Sequence, residues 1–215
     1  MEIVRQGSRH VLPAIAHASA VAVCLFASVA AADVIRAEPV AWKLEPDGKP
    51  ASYAVVEPSR TNMNIADVVL ACESAGERSV LQLQIYLTGD GPLLPRGIPA
   101  SKLKDEPRAE ISIDGKIFPV SLLFGDDHAV LADHQVDGFA GLSDELVDAM
   151  AKGRTMTLRL DLVAEPPGTA AAFDGEAVID LQAGNGGAAV DAVRRCVAPA
   201  RDRTVGLDGQ AAPPQ

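Results

Sequence analysis

The chain has 215 residues, is 48% hydrophobic but only 4% aromatic, and carries a formal net charge of −10. An acidic surface of this kind repels phosphate backbones and anionic lipid headgroups, so nucleic acid is a poor partner for it. One Trp and two Tyr also leave little material for an aromatic sugar-stacking platform.

The N-terminus differs from the rest. Arg5, Arg9 and His10 stand in a short polar start, followed by the apolar run VLPAIAHASAVAVCLFASVAAA, with no acidic residue until Asp33. A basic start, an apolar middle and an A-x-A ending describe a secretory signal peptide. Ala30-Ala31-Ala32 supplies that ending, which makes residues 1–32 the signal and Asp33 the mature start, with Ala37 as an alternative later site. An uncleaved membrane anchor fits less well, because His17 and Ser19 interrupt the run and the purely apolar part is short for a span. Lipidation at Cys24 is disfavoured too, since Cys24 follows Val21-Ala22-Val23 and not a small residue such as Gly. Cleavage after Ala32 removes Glu2, Arg5 and Arg9 and takes the net charge to −11. What remains suits one domain over residues 33–198, with a disordered Gly/Pro/Ala-rich tail at 199–215 and no later membrane span.

Strands are predicted at Val40–Glu45, Tyr53–Glu57 and Val68–Glu73. Leu81 to Leu87 then alternates strictly, with apolar residues at odd positions and Gln82, Gln84 and Tyr86 between them, as a half-buried strand requires. The loop GDGPLLPRGIP, Gly89–Pro99, is rich in Gly and Pro. Asp114-Gly115 within ISIDGKIF is a hairpin turn, because both residues accept positive φ. Its return strand places Phe118, Val120, Leu122 and Phe124 on one face. Further strands are expected at His128–Asp133, at Thr155–Leu162 (Met156, Leu158, Leu160 and Leu162 inward; Thr157, Arg159 and Asp161 outward) and at Glu176–Gln182. Ser143 is a good N-cap, Asp144 and Glu145 suit a first helical turn, and Leu146, Val147, Met150 and Ala151 form an apolar stripe ended by Gly153. A second helix is expected from about Gly187 to Val197. Ala189, Val190, Val193, Cys196 and Val197 share one side, with Asp191 early and Arg194 and Arg195 late. Many short alternating strands with late helices predict a mainly β fold, an antiparallel β-sandwich or partly closed barrel with two short helices, one of them C-terminal.

Three constellations bear on chemistry. GNGGAA, Gly184–Ala189, matches the G-x-G-x-x-A turn of dinucleotide sites, but no second strand follows its helix, and the reading is a tight strand-to-helix turn with no cofactor. GDDHAVLADH gathers Asp126, Asp127, His128, Asp133 and His134. Along a strand His128 and His134 would stand about 20 Å apart, so no metal bridges them, and Asp126 with His128 makes only a pair. No G-x-S-x-G occurs, and of the four histidines His10 and His17 leave with the signal. Trp42, in the first mature strand, reads as a core anchor.

Cys72 and Cys196 survive processing. An even count in an exported chain points to a bridge, and both sulfurs face the core that sheet and last helix share. The alternative, two buried inert thiols, stays open.

The runs VLACESAGERSVLQLQIYL…GPLLPRG, IDGKIFPVSLLF and TLRLDLVAEPP…AFDGEAVIDLQAG…AVRRC resemble a group of uncharacterised exported proteins of proteobacteria. More distantly, the early Trp strand and the strand ending in a helix and cysteine resemble the invasion-associated locus B family and periplasmic accessory proteins of secretion systems. The chain departs from the invasion-associated pattern in having no cysteine close after Trp42. The resemblance implies a β-sandwich without catalytic residues and supplies no site.

The expected function is therefore a periplasmic or secreted, non-enzymatic module binding a protein or envelope component. Leu93, Leu94 and Arg96 are its candidate contact loop, because an exposed leucine pair between prolines is costly unless covered; the equal alternative is that the loop packs back on its own sheet. The alternative is an envelope hydrolase using Asp126, Asp127 and His128, which requires those side chains to converge in a pocket with a third polar group. A small-molecule carrier would instead require an apolar cavity.

Overall fold

The computed structural model describes residues 40–89 and 91–197. The signal segment 1–32 and the tail 199–215 lie outside the described residues. The strands are β1 (Lys43–Leu44), β2 (Tyr53–Val56), β3 (Arg60–Thr61), β4 (Ile65–Ala75), β5 (Arg78–Leu87), β6 (Leu103–Ile113), β7 (Lys116–Phe124), β8 (His128–Ala132), β9 (His134–Val136) and β10 (Phe139–Gly141). Helix α1 (Asp144–Lys152) follows, then β11 (Thr155–Val163), β12 (Gly175–Asp180) and α2 (Gly186–Arg194). Ten strands form one antiparallel sheet in the order β1-β2-β4-β5-β8-β7-β6-β11-β12-β3, curled into a half-barrel, and β9 and β10 make a small ribbon of their own. The fold is mainly β with two helices, as the alternation predicts. No helix among the described residues is long and apolar enough to cross a membrane.

Local chemistry explains the hairpins. Asp114 and Gly115 take φ of 49° and 89°, so β6 returns directly as β7. The Asp114 carboxylate then accepts the Arg154 and Thr155 amides, both at 3.0 Å, and pins the start of β11 to the same corner. Asp137-Gly138 repeats the turn, with φ of 51° and 86°, between β9 and β10.

Every second side chain of β5 and β11 enters one core. Leu83 and Ile85 on β5, and Met156, Leu158, Leu160 and Leu162 on β11, are all fully buried. On β7 the inward set is shorter than predicted: Phe118 is buried and Val120 and Leu122 half-buried, but Phe124 is exposed where the strand runs past the rim. The strand predicted at Val40–Glu45 contracts to Lys43–Leu44, with Trp42 just before it.

Helix α1 forms as its sequence signals require. Ser143 Oγ accepts the Leu146 amide at 3.2 Å, and Leu146, Val147 and Met150 bury against the core. Helix α2 ends three residues earlier than predicted, at Arg194, and Cys196 and Val197 lie in a tightened turn beyond it. Arg194 reaches Asp148 and Asp144 of α1 and holds the two helices together. Cys72 on β4 and Cys196 are joined by a disulfide with a Cα–Cα separation of 6.4 Å.

Trp42 is buried in the core, as expected of an anchor. Its indole Nε1 donates to the Asp180 carbonyl at 3.2 Å, tying the β1 border of the sheet to the end of β12 near the opposite border. The glycines of GNGGAA serve this junction. A Cβ on Gly184 would collide with Ala41, one on Gly186 with the Leu181 carbonyl and the Trp42 ring, and one on Gly187 with the Ala151 carbonyl. The first turn of α2 is therefore filled by Trp42 and the end of α1. We expect Gly186→Ala to destabilise the fold by roughly 1–3 kcal/mol, read as a lower urea midpoint, because neither backbone carbonyl nor indole can yield.

Candidate functional site

Two segments singled out in the sequence, the loop after β5 and the turn before β8, come together at one end of the sheet. They line a cleft of about 470 Å³ bounded by Leu87–Gly89, Gly91–Leu93 and Phe124–Ala129. Asp126, Asp127 and His128 all reach this cleft. The turn is set by Gly125, whose amide donates to the His128 carbonyl at 2.8 Å. His128 Nδ1 and Asp127 Oδ1 stand 2.6 Å apart, and the imidazole stacks on Tyr86 with centroids at 5.3 Å and planes at 23°. This hydrogen bond holds the Asp127 carboxyl below its ordinary value. A carboxylate that orients an imidazole is half of a general-base arrangement. The other half needs a nucleophile, and among the described residues the His128 ring hydrogen-bonds to Asp127 alone.

The remaining members of that acidic and histidine-rich stretch are placed elsewhere. β8 ends at Ala132, and Asp133 turns away to accept the Ser143 amide at 2.7 Å and the Ser143 hydroxyl at 2.5 Å. It thus supports the N-cap of α1. His134 starts the separate ribbon and is exposed. Among the described residues no three His, Cys, Asp or Glu side chains are grouped as metal ligands.

Of the two readings of the Leu93-Leu94 loop, the structure has the one that packs back on the sheet and not the exposed contact surface. Leu93 and Leu94 are 1% and 5% exposed, so they are core residues and present no surface; Arg96 beside them is exposed. The cause is Asn64, which sequence reasoning missed. Its Nδ2 donates to the Pro92 carbonyl and its Oδ1 accepts the Leu94 amide, both at 3.0 Å, while the Arg96 amide donates to the Asn62 carbonyl at 2.9 Å. The loop is stapled onto the chain before β4 and its leucines turn inward. The interior itself is filled by side chains such as Met63, Leu70, Leu83, Leu93, Leu131 and Met150, all 0–1% exposed, as a packed core requires and a carrier cavity does not.

A second open feature lies on the outer face of β2, β4 and β5. A shallow groove of about 560 Å³ runs over Val55, Val69 and Ala71, with Tyr53, Gln84 and Tyr86 beside them and Asp67 and Glu73 at its ends. The register accounts for it: Val55, Val69, Gln84, Val130 and Leu123 form one cross-strand row, and Asp67, Tyr86 and His128 the next. Gln84 is only 4% exposed, because Tyr86 Oη donates to it at 3.2 Å and its own Nε2 donates to Glu73 at 3.0 Å and to Gln82 at 3.2 Å. Burial raises the Tyr86 phenol above its ordinary value, and the negative charges of Asp127 and Glu73 raise it further.

A third cluster stabilises the sheet. Asp161 points outward from β11, as its alternation predicts, yet it is fully buried under Lys104, Arg108 and the segment 164–174. Lys104 also pairs with Glu165 at 2.9 Å, and Phe173 lies between the Arg159 and Arg108 guanidiniums, at 4.4 and 5.8 Å. The Lys104 ammonium, followed by the Ala172 amide, lowers the Glu165 carboxyl to about 2. A depressed carboxylate adds stability above its unfolded value and loses it as pH falls toward the folded one. The difference in urea midpoint between the wild type and Glu165→Gln should therefore be constant at neutral pH and should shrink between about pH 4.5 and 2.

Comparison with family models, curated proteins and solved structures finds no match to this chain.

Proposed function

We propose that the protein is an exported, non-enzymatic binding module, periplasmic or secreted, whose half-barrel presents the outer face of β2, β4 and β5 to a protein or envelope component. The observation that carries this reading is the open groove on the outer face of β2, β4 and β5, where Tyr53 stays exposed and Val55 half-buried on a sheet whose other face is packed. The signal-like N-terminus supports export, and the Cys72–Cys196 disulfide fits an oxidising compartment. The resemblance to exported proteobacterial proteins agrees with the same placement.

The test is capture from envelope extract on the immobilised mature protein, with free protein as competitor and Val69→Lys as the altered surface. Competable capture by the wild type, lost with Val69→Lys, supports the reading. Capture indifferent to Val69→Lys removes the groove from it, and absence of competable capture removes the reading altogether.

A second reading, an envelope hydrolase, rests on the Asp127–His128 pair at 2.6 Å opening on the cleft with Asp126. Hydrolysis of ester or peptide substrates that disappears with His128→Ala would support it. Equal turnover by wild type and variant would end it.

A further inference from the structure

The groove carries information about what it binds, and the following inference rests on the binding-module reading above. Its floor is apolar, with Tyr53 and Val55 accessible and Val69 and Ala71 buried between the strands, and its ends carry carboxylates. Asp67 and Glu73 are six residues apart on β4, about 20 Å at roughly 3.3 Å per residue. Neither makes an ion pair among the described residues; Glu73 accepts only the neutral Gln84 amide. The lysine nearest this face, Lys43, stands opposite Val55 and pairs with Glu57 at 3.7 Å. Asp126 and Asp127 add carboxylates at the neighbouring cleft, one row beyond Tyr86. An apolar floor flanked by unneutralised carboxylates, on a chain of net charge −10, is complementary to a segment that is apolar in the middle and cationic at its ends.

We propose that the outer groove of β2, β4 and β5 docks an extended cationic peptide segment of a partner protein, with two Lys or Arg side chains about six residues apart meeting Asp67 and Glu73 and apolar side chains between them resting on Tyr53 and Val55. An extended chain of that length matches the spacing of the two carboxylates, and Tyr53 and Tyr86 offer ring faces to the cations or to their methylene stems. Because Glu73 is exposed and Asp67 half-exposed, salt weakens the complex while the apolar contact persists.

The probe is a fluorescein-labelled peptide, Lys-Thr-Val-Thr-Val-Thr-Lys, whose lysines and valines share one face when extended, titrated with the oxidised mature protein and followed by anisotropy, against the same peptide with Glu at both ends. The lysine peptide should bind and the glutamate peptide should not. Asp67→Asn with Glu73→Gln should weaken binding about fivefold, roughly what two exposed ion pairs contribute, and high salt should weaken the wild-type complex by a similar factor. Both substituted side chains are at the surface, and near-ultraviolet circular dichroism checks that the variant is folded. Amide shifts of the wild type on adding the lysine peptide should cluster at Val69, Ala71, Gln84 and Tyr86, which needs no variant at all. Equal affinity for the two peptides, or shifts centred away from the groove, overturns the proposal. Competable, Val69-dependent capture from extract together with no discrimination between the peptides would overturn this inference alone; loss of both would remove the binding-module reading with it.

Discussion

Replacing both Cys72 and Cys196 with serine is expected to lower the free energy of unfolding by up to about 5 kcal/mol. The bridge spans a sequence separation of 124, and the chain-entropy model gives roughly that figure for a loop of this length. Against a typical net stability of about 5–15 kcal/mol, such a loss is large. The structure indicates where it would be felt: Cys196 sits just past α2, and the bridge holds this last helix to β4 at the margin of the core. Urea unfolding of the double variant, and of the wild type with reductant, should show the same drop. A drop below about 1 kcal/mol would mean that α2 is held by its own packing of Val190 and Val193 and that the bridge adds little.

Asp161→Ala is expected to cost about 1–3 kcal/mol, because Lys104, 15% exposed, loses its buried partner and keeps only Glu165, while the half-exposed Arg108 can turn to water. Asp161→Asn keeps the shape and some hydrogen bonds and should cost less. The discriminating variant combines Asp161→Ala with Lys104→Met. If the loss comes from an uncompensated cation, the second substitution recovers part of it; if the loss comes from the cavity alone, it does not. Chemical denaturation of the three variants separates these outcomes.

How much of this was legible in the sequence follows from where side-chain chemistry is local. The alternation in Leu81–Leu87 and Thr155–Leu162, the Asp-Gly turn at 114–115 and the Ser143 cap each act within a few residues, and all appear where predicted. The cysteine pairing was accessible through count, compartment and facing. The first half of β6, LKDEPR, was not, because its Lys104 and Arg108 are there to meet Asp161 on a neighbouring strand, 57 and 53 residues away. The facing of the leucine pair is undecided in the sequence for a similar reason: Asn64 folds its loop inward from 28 to 30 residues upstream. The Asp137-Gly138 turn was overlooked because its arms, β9 and β10, have only three residues each. The cleft at Asp127 and His128 was visible as a cluster, but its stacking partner Tyr86 had been read as the solvent side of a strand. The outer groove gave no signal of its own, since small and apolar residues on an outward face become a feature only once three strands are in register.

The Trp42 indole and the Asp180 carbonyl that receives it are 138 residues apart. For a chain that is threaded across a membrane from its N-terminus, as the proposed export requires, this contact sets a schedule. β1 can pair with β2 at once, but the Trp42 indole has no acceptor until β12 has followed, and Cys72 has no mate until Cys196 arrives. Up to that moment β4 and β5 can pair as a hairpin, but the border that Trp42 fastens stays open. Completion of the fold is thereby postponed until nearly the whole chain has crossed.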